Sequence, residues 1–163
     1  MKNGSTILLK IAVVLMGVPV LALAVVLWLQ IGTVAIAEAL KGARLGYIIL
    51  GVLVGMTLSM IPYYASLYQA FKLLTYIDHD KAFSLLSVAA LKNIKKYALI
   101  IGGLYILISP LIFAVAQWDD APGLVIVGMI PAFAALVVAL FAAVLQRLLQ
   151  EAIELKSENE LTV

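Results

Sequence analysis

The chain has no cysteine and one histidine, His79. The first absence excludes disulfides, thiolate metal sites, a cysteine nucleophile and a lipoprotein anchor. The second weakens the Asp78-His79-Asp80 triplet as a metal site. Adjacent residues point in different directions, and no second histidine exists to complete a ligand set. That triplet reads as a solvated loop, and no metal or cofactor is expected. Charge is also scarce. Asp, Glu, Lys and Arg make up 12% of the chain, against about 25% in soluble domains. Apolar residues fill the gap at 65%, against roughly 45–50%. A soluble core of 163 residues has no room for that excess, so the membrane class follows before any motif is read. A net charge of +2 gives no argument for direct nucleic-acid binding.

The apolar residues gather into four runs, at about 7–29, 45–67, 97–118 and 124–146. Each is long enough to cross a ~30 Å hydrocarbon core at 1.5 Å per residue. The first resembles a signal peptide at Ala22-Leu23-Ala24, but it continues through Trp28 and Leu29, so a retained span is expected. No acid or base lies in the interior of any run. That counts against an ion-coupled transporter or an intramembrane protease, and leaves a lipid flippase or passive pore open. No phosphate-binding glycine loop and no nucleophile–base pair occurs within a span, so the expectation is a non-enzyme.

The segment 72–96 orients the chain. It holds Lys72, Lys81, Lys92, Lys95 and Lys96. With Lys2, Lys10, Arg147 and Lys156 these make nine basic residues on one side, against Lys41 and Arg44 on the other. The imbalance predicts both termini and the 72–96 connector in the cytoplasm, with the protein in the plasma membrane. Within the connector, Phe83, Leu86, Ala90, Leu91 and Ile94 follow helical spacing, and Ser84 stands at the position of a cap. An amphipathic helix lying on the inner leaflet is expected, its Lys92, Lys95 and Lys96 at anionic headgroups. The residues from Gln30 to Arg44 read as a second, shorter interfacial helix. The fourth run keeps one apolar face through Leu145, Leu148, Leu149, Ala152 and Leu155, which predicts a helix projecting into the cytoplasm to about Lys156. An acidic tail with Glu158, Asn159 and Glu160 follows.

Small residues recur every four positions at Gly51, Gly55 and Ser59, and again at Gly128 and Ala132. Such stripes let helices approach closely, within one bundle or, less simply, across a homo-oligomer. Each span carries one proline: Pro19, Pro62, Pro110 and Pro131. These predict kinks, read as bundle curvature or as hinges. Thr57, Tyr63, Tyr64 and Tyr68 cluster late in the second run. They read as interhelical hydrogen bonds and interface anchors, or as a small inner-leaflet pocket for a lipid or peptide.

The closing segment FAAVLQRLLQEAIELKSENELTV, together with Phe83-Ser84 and Leu91-Lys92-Asn93-Ile94-Lys95-Lys96-Tyr97, resembles the YoaS-like family of small bacterial four-span membrane proteins, a domain of unknown function. The resemblance implies no catalytic residues. It implies genomic proximity to an Xre-type helix-turn-helix regulator, and hence a membrane partner of a cytoplasmic transcription factor. Lys92, Lys95, Lys96, Glu158, Asn159 and Glu160 would form the contact with that partner or with lipid.

The expected architecture is an all-α bundle of four transmembrane helices in one integral membrane domain. The expected role is regulatory or sensory. A small transporter or oligomeric pore for a lipid-like or peptide substrate, and an immunity protein against membrane-active peptides, are the alternatives.

Overall fold

The computed structural model describes residues 2–161, with side chains from Gly4 onward; Thr162 and Val163 lie outside the described residues. The chain is helical throughout. α1 spans Lys2–Leu27, a π-helical turn follows at Trp28–Gly32, and α2 spans Thr33–Leu40. Then come α3 (Arg44–Asp78), α4 (Leu85–Trp118) and α5 (Gly123–Leu161). Four helical stretches are long and apolar enough to cross a membrane: Gly4–Leu40, Arg44–Asp78, Leu85–Trp118 and Gly123–Leu161.

Two expected helices differ in form. The residues from Gln30 to Arg44 do not form a separate interfacial helix. The π-turn carries α1 directly into α2, and α2 packs antiparallel on the start of α3. That contact depends on Gly46, where a methyl group would lie 2.5 Å from the Ala39 nitrogen and 2.8 Å from the Ala35 oxygen. The connector is likewise shorter than 72–96. Residues to Asp78 complete α3, and Leu85 onward already belongs to α4, so the segment holding Lys92, Lys95 and Lys96 is a continuous part of the third spanning helix. Its first turns are clamped between neighbours rather than laid flat: Ser87, Val88, Ala90 and Leu91 are buried. Ser84 holds the N-cap backbone geometry, but its hydroxyl donates to the Lys81 carbonyl and caps no helix N–H.

All three interhelical turns close the same way. Gly42, Asp80 and Asp120 take positive φ values of 82°, 58° and 50°. Each sits just past a helix end. The residue after it donates back into the last turn, as Ala43 N–H does to Glu38 O, Lys81 N–H to Tyr76 O and Ala121 N–H to Ala116 O. This left-handed closure satisfies carbonyls that a helix end leaves unpaired. It explains Asp80 without any metal: the residue ends a helix.

The helices run through the four span prolines. Pro110 deprives the Ile106 carbonyl of its usual donor. The Ser109 hydroxyl supplies one instead, at 2.7 Å.

Each long helix packs only on its neighbours in sequence. Among the described residues, no Cα of α1 comes within 8 Å of α4 or α5, and none of α3 within 8 Å of α5. The core lies where α3, α4 and α5 meet, around Tyr105, Ile108, Ile112 and Ala132. α4 is its centre. The small stripes serve this core. Gly55 faces Ile108, where a methyl group would sit 2.5 Å from Cγ2, and Gly51 faces Leu111. Gly128 takes Ile112, and the Ala132 backbone lies beside Gly102.

Candidate functional site

Because α1 reaches only α3, the space between α1 and α5 is left unfilled. It forms a partly open cleft of about 550 Å³ with walls from all four spans. α1 supplies Val13, Met16, Val20, Leu23 and Leu27; α3 supplies Leu53, Met56, Met60 and Leu67; α4 supplies Ile94, Ala98 and Ile101; α5 supplies Pro131, Ala134, Ala135 and Val138. The volume falls within the range of small-molecule sites, roughly 300–1,000 Å³. The lining is almost wholly apolar, so the cleft offers dispersion contacts and little else.

Its few polar groups are nearly all committed to the protein. Thr57 donates to the Leu53 carbonyl at 2.8 Å and accepts from the Trp28 indole N–H at 2.8 Å. Ser59 donates to the Met56 carbonyl at 2.6 Å, and the Tyr105 hydroxyl lies 3.5 Å from Ser59 Oγ. Tyr63 donates to the Met16 carbonyl at 2.7 Å. Ser66 is different. Its hydroxyl is buried, lines the cleft and has no partner among the described residues.

The residues foreseen as a pocket divide. Thr57 and Tyr63 line the cleft, with Ser59 beside them. Tyr64 and Tyr68 do not. The Tyr64 hydroxyl is held by the Gly17 carbonyl at 2.5 Å. Tyr68 is exposed, its ring 5.2 Å from the Lys72 ammonium. The two rings do not join one pocket: Tyr64 is held against α1, and Tyr68 lies at the surface. Trp28 sits where α1 gives way to the π-turn and lines the cleft. No spacing rule in the sequence marks that turn. Gly32 is its one local signal, since a methyl group there would lie 2.6 Å from Trp28 Cε3.

At the end where α1 begins, α1 is clasped to α3. The Lys10 ammonium lies 2.7 Å from Asp78 Oδ2, the Thr6 hydroxyl donates to Asp78 Oδ1, and Lys10 also sits 5.3 Å from the centre of the Phe71 ring. The Lys10 and Asp78 side chains are 22% and 14% exposed, so this pair is better shielded than an ordinary surface ion pair. Hydrogen bonds from Lys10 and then Thr6 hold the Asp78 carboxyl below the usual carboxylate range. Asp78, taken with His79 and Asp80 as loop, thus turns out to anchor a helix. His79 remains exposed.

Lys92 and Lys96 are exposed on α4, and Lys95 is half-buried. Glu158, Asn159 and Glu160 lie on the last turns of α5, which stays helical to Leu161 rather than loosening after Lys156. The structure does not bring the lysine group and the acidic group into one site.

A family model described as "Protein of unknown function (DUF2975)" matches residues 11–163. The chain belongs to this family. It is also 50% identical, over the whole length of both chains, to the "Uncharacterized membrane protein YoaS" of Bacillus subtilis (strain 168). No solved structure matches it. The YoaS-like membrane family anticipated from the closing segment is therefore the family found.

Proposed function

We propose that this DUF2975 protein is a non-enzymatic membrane sensor whose cleft takes a ligand of the lipid class. The observation that carries the reading is the cleft itself. It is large, apolar and walled by every span, and α1 closes one side while packing on a single neighbour. An acyl chain suits such walls. The unpartnered Ser66 hydroxyl offers one hydrogen bond to an ester or headgroup oxygen.

The proposed output is regulatory. On the positive-inside count, both termini face the cytoplasm of a plasma-membrane protein. α3, α4 and α5 have 35, 34 and 39 residues, or about 50–58 Å at 1.5 Å per residue. They therefore extend well beyond a ~30 Å core. The projecting ends carry Lys92, Lys95, Lys96 and Glu158–Glu160 and would meet a cytoplasmic helix-turn-helix regulator, with no direct nucleic-acid contact. A ligand that fits the cleft better in one setting of α1 shifts the population toward that setting.

Two experiments test this. Native mass spectrometry of the protein released from its own membranes should show retained lipid. Filling the cleft with Ala134→Trp should remove it. Equal lipid retention in both proteins overturns the ligand reading. Crosslinking in native membranes, with and without the last six residues, should recover the regulator only with the tail present. Recovery of nothing but the protein itself overturns the partner.

The hydroxyls of Thr57, Ser59 and Tyr63 on the cleft wall also favour a second reading, a small transporter or pore for a lipid-like or peptide substrate. It requires flux in reconstituted vesicles that Ala134→Trp blocks.

A further inference from the structure

The end of α5 raises a separate question. Residues 147–161 include Arg147, Glu151, Glu154, Lys156, Glu158 and Glu160, so this stretch lies in water whichever way the chain is inserted. Yet its surface is not polar all round. Phe141, Leu145, Leu148 and Leu155 are all more than half exposed. Lipid covers such a face inside the bilayer, but beyond it Leu148 and Leu155 stay more than half exposed among the described residues.

The spacing says what would. Leu145, Leu148, Ala152, Leu155 and Asn159 alternate three and four residues apart, the a and d positions of a heptad. A different face holds the half-buried Gln146, Leu149 and Ile153, and within the stripe only Ala152 is half-buried as well. At 3.6 residues per turn the two faces are about a third of a turn apart. With Leu145, Ala152 and Asn159 at a, Leu148 and Leu155 fall at d, Glu151 at g and Lys156 at e.

We infer that this stripe is a parallel coiled-coil seam between two copies of the chain. Three features select a second copy in that orientation. Copies inserted in one membrane with one topology present their α5 ends parallel without further cost. In a parallel pair, the g residue of one helix meets the e residue five positions on in the other. That places Glu151 of each copy against Lys156 of its mate, opposite charges at the seam's edge. An antiparallel pair would instead set Glu151 against Glu158. Asn159 at an a position is the third feature, because a buried asparagine there favours two in-register parallel strands. Two heptads are too short to pair in free solution. Here the spans hold both helices in the same plane and raise their effective concentration.

The absence of cysteine makes the test direct. Single cysteines are introduced in the full-length protein in native membranes, at Leu148 and Leu155 on the seam and at Gln150 and Glu154 off it, and oxidised. Leu148→Cys and Leu155→Cys should give disulfide-linked dimers several-fold faster than Gln150→Cys or Glu154→Cys, because contact is confined to a and d. Glu151→Lys in the Leu155→Cys background should lower crosslinking about threefold, the scale of exposed ion pairs. Adding Lys156→Glu should restore it. Equal crosslinking at all four positions, no self-crosslinking at Leu148 and Leu155, or crosslinks there only to a different protein would each overturn the seam. So would failure of the charge reversal to rescue. Lipid release by Ala134→Trp leaves these outcomes unaffected, so this inference and the cleft reading fail separately.

Discussion

The seam between α1 and α3 and the seams among α3, α4 and α5 are built by different rules. The latter are close-packed. Gly51, Gly55 and Gly128 let Leu111, Ile108 and Ile112 press against backbone, and α4 buries residues along its whole length. The α1 seam is tied more than it is packed. From Gly4 on, α1 buries only Thr6 and Gly17, whereas α3 buries Gly46, Leu53, Gly55, Ser59 and Pro62. What holds α1 is a series of polar tethers: Trp28 to Thr57, Tyr63 and Tyr64 to the Met16 and Gly17 carbonyls, and Lys10 with Thr6 to Asp78. Van der Waals packing drives helix association in lipid, where no hydrophobic effect separates helix from acyl chain. A helix held by a few discrete bonds can be displaced by breaking those bonds, while the three-helix core stays whole. On the proposed reading, α1 is therefore the wall of the cleft that moves.

The largest expected effect attacks the packed side. Gly55→Ile drives a branched side chain into Ile108, and overpacking of this kind costs about 1–3 kcal/mol. Thermal unfolding in detergent should fall for the whole protein. An unchanged midpoint would mean that α3 and α4 are less tightly joined than Gly55 implies. Gly46→Val strikes the place where the α1–α2 arm packs closely on backbone. The methyl groups meet backbone, which yields less readily than a side chain, so the loss should be of similar size, about 1–3 kcal/mol. It should appear as separation of α2 from α3, read by distance measurements between spin labels on those helices.

Next come the tethers. The double change Tyr63→Phe and Tyr64→Phe removes two interhelical hydrogen bonds, each worth about 0.6 kcal/mol in membranes. The midpoint should shift slightly, while label distances between α1 and α3 broaden clearly. A large midpoint shift without broadening would show that α1 belongs to the packed core after all.

The Lys10–Asp78 clasp has a definite pH sign. The folded carboxyl titrates below its ordinary value, so its contribution is fully present above that value and is lost as pH falls through the lowered one. The clasp should be indifferent to pH between 6 and 8, about two units or more above the ordinary carboxylate value. Asp78→Asn should loosen the start of α1 at neutral pH, seen as faster amide exchange there with α4 and α5 unchanged. Exchange that varies between pH 6 and 8 in the native protein would point to another group.

The smallest effect concerns the turns. Asp120→Gly relieves a left-handed residue of its Cβ, a strain of roughly 1–2 kcal/mol, and the freer glycine chain in the unfolded state offsets about 0.4–1 kcal/mol of it, so a small gain is expected. Loss of stability would mean that an aspartate side chain does more than tolerate the turn.

Much of this was readable in the residues. Four apolar runs in a cysteine-free, charge-poor chain leave only a helical membrane protein, because every backbone group in lipid must be satisfied within its own segment. Gly51, Gly55 and Ser59 at four-residue intervals marked a face of α3 that does meet α4. The closing segment led to the right family. The exact extent of each helix was harder to read. The positive Asp80 φ ends α3 at Asp78, and Leu85 restarts the helix almost at once, so a connector that looked like a separate amphipathic helix became part of α4. Tyr64 and Tyr68 had pocket-like neighbours in sequence but face away from the cleft.

Sequence by itself determined the class and the number of apolar spans, since hydropathy acts locally and needs no knowledge of which helix sits beside which. The cleft was decided only by tertiary structure. It exists because α1 reaches α3 and stops there, and no local propensity encodes a contact that is missing between two distant helices. The same holds for the Lys10–Asp78 clasp, whose partners lie 68 residues apart and meet only because the α1 arm and α3 run antiparallel in a register fixed at the far end by Gly46.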